Sequence, residues 1–453
     1  MKNVDKIVRC LPIIFLLSAC AHFSSPPPPP IYLIIIDTLR VDALGCYGGP
    51  HPTPGLDALA KDAVLFENCF APSSWTVPST ASIFTGLYPF HHGAIKALQD
   101  NGKVLSQQTL SNGYTTLAEI CQQREYRTYG VSGNGHIAEK YGFAQGFDEF
   151  VTYPFLKKEA VASSWEGMRP RILAEQRFGQ GTFAMLFFFD PHHPYAPVEP
   201  YISRYYPTWM DDSGDLLIRG MVDLMLDDYF NKNPKTVAVA RAMYDSGVEG
   251  LDDYLSRMLK DLPNYQDALI IVTSDHGESF GEHGKMIHGN SLFQEQVHVP
   301  LLIKLPKNLG AGTRIAAPVS TVDLFPTLVE FIKAPKQAPS DGLSLWPLLS
   351  GGTRPPADLF IHIDLPRAHY RAMVHWPFKL IQQTDGQKFV FNLQDDPRED
   401  HNLLERDKSR DDQWFNVLQK QTRDVIRFAP RSISENIPDD LRAKMKNLGY
   451  LNN

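Results

Sequence analysis

Four stretches of the chain are apolar almost without interruption. They are Ile31–Ile36 (IYLIII), Phe183–Phe189 (FAMLFFF), Ala268–Thr273 (ALIIVT) and the run VPLLIKLP from Val299. A strand with one wet face alternates, whereas a strand covered on both faces does not. These runs therefore predict interior strands of a parallel sheet. Helical spacing fills the chain between them. In Met243–Leu262 the residues Val248, Leu251, Leu255 and Leu259 recur on one face. The alternation predicts an α/β fold, with a mostly parallel central sheet flanked by helices. After about residue 310 the texture changes. MVHWPFKLIQQTDGQKFVFNLQDDPRED alternates with period two, and Asp385-Gly386 reads as a hairpin turn. A main domain over residues 31–333 and a smaller C-terminal α+β subdomain over 334–453 are expected. No internal repeat is visible.

Three of the apolar runs end in acid. Asp37 follows the first, Asp190 and His192 (in DPHHP) follow the second, and Asp275 and His276 (in SDHGE) follow the third. Ligands of open α/β sheets bind at the carboxyl ends of the strands. One such carboxylate is commonplace, because Asp often caps the next helix. Three converging ends, two with a histidine, point to a metal site. Carboxylate with imidazole suits Zn or Mn, and a carboxylate shell suits Ca or Mg. The fourth run, from Val299, has no acidic end.

Composition adds little for the main domain and more for the N-terminus. Apolar residues make up 43% and charged residues 21% of 453, with net charge −7. No long Lys/Arg block is present, which argues against nucleic-acid binding. Lys2, Lys6 and Arg9 precede a short apolar run, CLPIIFLLSA, too short to span a bilayer. Leu17-Ser18-Ala19-Cys20 resembles a bacterial lipoprotein processing box, which implies removal of residues 1–19 and lipidation of Cys20. An ordinary secretory signal cut near Ala21 is the plainer alternative. Ser24–Pro30 (SSPPPPP) reads as a stiff spacer within a 20–30 linker. The expected location is the bacterial cell envelope, exported and held on a membrane through the lipid. Cys46, Cys69 and Cys121 would remain, an odd count that offers no disulfide framework.

These motifs together resemble the sulfatase family of the alkaline phosphatase superfamily, over nearly all of residues 31–405. IIIDTLRVDALGCYG looks like the family's first strand and metal loop. TVPSTASIFTGLYPFHHG looks like its Cys/Ser-x-Pro-x-Arg signature and the helix behind it. DPHHPY, TSDHGESFGEHG, DGLSLWPLLSG and NLQDDPREDHNLL fit later blocks. The resemblance implies an alkaline-phosphatase-like fold, an anionic ester substrate and a divalent metal held by Asp37, Asp275, His276 and Thr76. It implies a covalent intermediate on Thr76, two residues before Pro78, with helix N–H groups behind it. His192 and His288 would contact ester oxygens or protonate the leaving group. His136 and Lys379 would contact substrate. His283, His91 and His92 read as structural. The plain alternative for Thr76 is a hydroxyl capping the helix.

Two departures bear on the reaction. The usual nucleophile is a Cys or Ser oxidised to formylglycine, and the β-methyl of Thr76 forbids that aldehyde. Thr80 holds the signature arginine position. Thr nucleophiles occur in related phosphoethanolamine transferases and lipoteichoic acid synthases. Thr38 stands where sulfatases carry a second Asp, His276 where they carry Asn, His288 where they carry Lys, and Asn134 where they carry another Lys. More imidazole and fewer carboxylates shift the expected metal towards Zn or Mn. A hydrolase of sulfate, phosphate or phosphonate esters is the leading expectation. A transferase of phosphoryl-linked groups onto envelope glycan or lipid is the second, and a non-catalytic lipoprotein the third. Specificity is expected in the loops from about Thr152 to Gln180 and from Tyr201 to Lys235, which carry no motif.

Overall fold

The computed structural model describes residues 28–98, 105–153, 158–212, 234–335, 340–365, 368–383, 385–423 and 432–434. The signal segment and Cys20 lie outside the described residues. The central sheet runs in the spatial order Arg314–Ile315, Val64–Phe70, His298–Lys304, Leu269–Thr273, Ile31–Ile36, Gly181–Phe188, Tyr126–Ser132 and Glu149–Thr152, with Val319–Ser320 also paired to Val64–Phe70. Ile31–Ile36 is at most 1% exposed along its length, as a strand covered on both faces must be.

The fourth apolar run departs from the parallel reading. His298–Lys304 is antiparallel to both neighbours. The chain leaves Leu269–Thr273 at the carboxyl edge and returns without a crossover helix long enough to span the sheet. It therefore starts at that edge, which is why it has no acid at its end. Thr152–Gln180 is also not a loop. Lys158–Arg177 is a helix whose Val161, Trp165, Met168 and Ile172 are buried in the main core. Of the second segment expected to set specificity, residues 213–233 lie outside the described residues.

The C-terminal region forms an antiparallel sheet of Leu359–Leu365, Ala368–His375, Phe378–Gln382 and Lys388–Asn392. Gly386, at φ 85°, supplies the left-handed residue of the last hairpin. Alternation explains its packing. Ala372, Val374, Ile381 and Phe391 face the main core, while Met373, Leu380 and Val390 pack with Phe415 and Leu418. The latter two belong to the helix Lys408–Gln421, which covers the outer face. Among the described residues, no helix is long and apolar enough to cross a membrane.

Candidate active site and metal centre

Register brings the chemistry together. Ile36 lies opposite Phe188, Ile35 opposite Thr273, and Ser132 opposite Phe187. Extending each pairing by one or two residues puts Asp37, Asp275 and Asn134 at one level of the carboxyl edge. The Asp37 N–H still bonds the Phe188 carbonyl at 3.0 Å. Val64–Phe70 runs the same way, so the helix Thr76–Thr85 that follows it begins at this edge too.

Thr76 is the first residue of that helix, and the N-cap position belongs to Trp75. No side-chain cap bond forms there. The Thr76 hydroxyl instead lies 3.2 Å from His276 Nε2. His276 Nδ1 donates to the Gly277 carbonyl at 2.9 Å, which leaves Nε2 bare of its proton in the neutral ring. That lone pair faces Asp275 Oδ2 at 3.4 Å and Asp37 Oδ1 at 3.8 Å. Asp37, Asp275 and His276 are fully buried, and their ligand atoms all fall within 4.8 Å of one another.

The donor set suits a cation. Asp275 Oδ1 accepts the N–H groups of Thr38 and His276, at 3.3 and 2.9 Å. Its Oδ2 is buried with no hydrogen-bond partner among the described residues. Burial pushes the Asp275 carboxyl above its usual range, opposed by His276. Two buried carboxylates and an imidazole lone pair converging on one point repel each other unless a positive charge sits between them. A histidine ligand that donates its other N–H to a backbone carbonyl is the usual support for such a site. Thr38 helps to shape it. This β-branched residue adopts φ 57°, held where the Tyr244 hydroxyl bonds its carbonyl at 2.8 Å, and it aims its N–H at Asp275.

The other expected residues divide. His288 and His192 join the cluster, with ring centroids of His276 and His288 4.3 Å apart and of His288 and His192 4.9 Å apart. His136 is buried nearby, but Asn134 makes the direct contact. Asn134 Nδ2 donates to Asp37 Oδ2 at 2.8 Å, and its side-chain oxygen accepts the His136 N–H at 2.8 Å. Lys379 is not brought into the group. It is fully buried and paired with Glu399 at 2.9 Å. His283 stacks on Phe293 at 3.8 Å, His91 bonds Asp341, and His92 bonds Ser82. A cavity of about 590 Å³ lies on the Asp37 side of the sheet, between Arg40, Arg241, Glu282 and Arg398, and the cluster residues are not among those that line it.

Two members were missed in the sequence. Glu278 is fully buried, is hydrogen-bonded to His288 Nδ1 at 2.8 Å, and is pushed well above the usual carboxylate range by burial. Trp75 stands 5.3 Å from the His288 ring. Gly289 makes that approach possible, because a Cβ there would come within 2.1 Å of the Trp75 indole. Only the position of Glu278, three residues after Asp275, hinted at its role. The Ser79 hydroxyl donates to the Asp275 carbonyl at 2.5 Å, while the buried hydroxyls of Ser73, Ser74 and Thr80 have no protein partner among the described residues.

The fold and this edge define an α/β protein of alkaline-phosphatase-like architecture with its donor set at the carboxyl ends of the strands. The chain belongs to the sulfatase family, whose Sulfatase model matches residues 29–334. A second model, N-sulphoglucosamine sulphohydrolase, C-terminal, matches residues 281–425. The chain is 24% identical to an N-acetylglucosamine-6-O-sulfatase of Bacteroides thetaiotaomicron, across 90% of this chain and 88% of the relative. It superposes on a phosphonate monoester hydrolase of Agrobacterium radiobacter with TM-score 0.68 and 22% identity, covering 89% of this chain and 99% of that one. A solved structure of a protein in complex with its substrate D-glucosamine-2-N,6-O-disulfate gives TM-score 0.68 at 19% identity, covering 88% of this chain and 98% of that one.

Proposed function

We propose that the protein hydrolyses sulfate, phosphate or phosphonate esters through a covalent intermediate on Thr76, with a divalent metal held by Asp37, Asp275, His276 and Thr76. The observation that carries this reading is the hydroxyl of Thr76 at 3.2 Å from a bare imidazole nitrogen, between two buried carboxylates. Zn or Mn fits this mixed oxygen and nitrogen set better than Ca or Mg. A metal there would lower the hydroxyl pKa and neutralise ester oxygens.

The side chains supply the rest. Thr76 enters as the alkoxide, its proton released to solvent as the site loads. Its oxygen attacks the sulfur or phosphorus, and the bond to the alcohol oxygen breaks. That oxygen takes a proton from His288 or His192. Glu278 bonds His288 Nδ1, so Nε2 is the nitrogen turned to the site. In the second half the same imidazole takes a proton from water, which attacks the sulfo- or phospho-Thr76. Sulfate, phosphate or phosphonate leaves and Thr76 is restored. The Thr76–Thr85 helix points its N-terminus at the new negative charge. The sulfated sugar and the phosphonate hydrolase among the similar structures support an anionic ester substrate of this range. Thr76 in place of a formylglycine precursor also favours a second reading, in which an envelope alcohol replaces water as acceptor.

Thr76→Ala should abolish turnover across a panel of aryl sulfate, phosphate and phosphonate esters while leaving the fold and, through Asp37, Asp275 and His276, most of the metal content intact. Acid quenching during turnover should leave the Thr76 peptide sulfated or phosphorylated. An unchanged rate in Thr76→Ala would sink the mechanism. The same reading has the protein anchored in the cell envelope through Cys20, so Cys20→Ala should release it from membranes.

A further inference from the structure

We propose that the sheet edge opposite the active site rests on a phospholipid bilayer, so that the active site opens to the aqueous phase. This rests on the reading of Cys20 as a lipid anchor. The chain enters the domain at Pro28–Pro30. The Tyr126 hydroxyl donates to the Pro29 carbonyl at 3.2 Å, and the Leu269 N–H donates to the Pro30 carbonyl at 2.9 Å. Pro28 lies so close to Gly181 that a Cβ there would meet its ring at 2.8 Å. Tyr126, Gly181 and Leu269 are the first residues of their strands. The tether thus joins the edge where the parallel strands begin, and the Thr76–His276 cluster stands where they end.

Reach decides the orientation. Eight residue steps separate Cys20 from Pro28, and each spans at most about 3.6 Å, which gives about 29 Å. To turn the active site to the bilayer, the tether would have to cross the helix layer, about 10 Å. It would then have to climb strands of six to eight residues at about 3.3 Å each, before passing the loops that wall the site. That path is longer than the tether.

The entry edge also carries apolar groups that the fold does not use. Phe178 is 91% exposed and Leu309 59% exposed. Phe178 sits just before the Gly181–Phe188 strand, and Leu309 just after His298–Lys304. In the sheet these two strands flank the Leu269–Thr273 and Ile31–Ile36 pair, so both side chains flank the point of entry. Exposed charges on this edge are mixed, with Arg124, Arg177 and Lys307 against Glu125, Asp261 and Asp267. Contact therefore rests on Phe178 and Leu309 at headgroup depth, with Arg177 and Lys307 beside them reaching lipid phosphates. In this orientation the substrate is a soluble or glycan-borne ester, not a headgroup of the anchoring bilayer.

The test uses the full chain, purified with its native N-terminus and reconstituted on phosphatidylethanolamine–phosphatidylglycerol vesicles. An environment-sensitive dye is placed on Phe178→Cys, Leu309→Cys or Asp400→Cys, the last in the cavity lined by Arg40 and Val41 on the Asp37 side of the sheet. The unsubstituted protein sets the background from Cys46. Brominated lipids should quench the first two several-fold more than the third. Quenching at 400, or none at 178 and 309 while mass spectrometry finds lipid on Cys20, overturns the orientation. An N-terminal peptide without lipid overturns it by removing the anchor, and leaves the ester-hydrolase reading untouched.

Discussion

Lys379→Met separates two roles for a lysine that sequence patterns put at the pocket rim. The structure pairs it with Glu399 at 2.9 Å, with both side chains fully buried. Glu399 Oε2 also accepts the Gln294 N–H at 2.7 Å, and its carbonyl meets His283 Nε2 at 3.2 Å. The pair thus ties the C-terminal sheet to the loop that carries His288. Burial pushes the Lys379 ammonium down and the Glu399 carboxyl up, and the contact opposes both shifts. Removing the lysine leaves a buried carboxylate unpaired, which costs about 3–5 kcal/mol. At about 2.1 cal/mol/K per residue over roughly four hundred folded residues, that loss lowers Tm by about 4–6 °C. Lys379→Met combined with Glu399→Gln removes both charges and keeps an acceptor for Gln294, so most of the loss should return. Urea unfolding of the two single variants and the double variant measures the coupling, and turnover of the folded fraction measures function. A cost below about 1 kcal/mol, or a raised KM at unchanged stability, would refute the ion-pair role and restore a substrate contact.

Other consequences follow from the same geometry. Dialysis against a chelator should abolish turnover, and Zn or Mn should restore it with about one metal per chain by elemental analysis; recovery with Ca alone would contradict the imidazole-containing donor set. Gly289→Ala, at φ 76°, drives a Cβ into Trp75 and should displace His288, lowering kcat at least about tenfold with the fold intact by circular dichroism. Asp252 caps the helix Pro54–Asp62 through the Gly55 and Leu56 N–H groups at 2.8 and 2.7 Å, and burial raises its carboxyl to about 6. A raised folded-state pKa means that the folded protein holds the proton longer. Stability from this group is therefore full below about pH 4 and is lost as pH rises to about 6, by up to about 3 kcal/mol. Asp252→Asn should flatten that part of the stability–pH curve; an unchanged slope would show that another group titrates there.

Much of the fold was legible because burial on two faces leaves an unbroken apolar run, and Ile31–Ile36 and Leu269–Thr273 have that signature. The direction of His298–Lys304 was not, since an apolar run carries no sense of polarity and only the short return from Thr273 sets it. The Lys158–Arg177 helix was hidden by Pro170 and by a weak apolar stripe, although Val161, Trp165, Met168 and Ile172 keep helical spacing. At the site, residue type was legible and partnership was not. Glu278 and Trp75 act through His288, ten and more residues away, and Lys379 turned inward to Glu399.

Thr76 shows where sequence reasoning meets its limit. A hydroxyl near a helix start predicts a cap, and a hydroxyl two residues before the family proline predicts a nucleophile. Both rest on the same letters. The two differ in one geometric respect. A cap occupies the residue before the first helical turn and accepts a backbone N–H, whereas a nucleophile must point away from the helix towards a base or cation. Here Trp75 takes the cap position and Thr76 is already helical, so its hydroxyl has no capping partner and turns to His276 instead. The β-methyl that forbids formylglycine also narrows the rotamers open to Thr76. The same substitution that removes the usual sulfatase cofactor thus helps to fix the oxygen beside Asp37, Asp275 and His276.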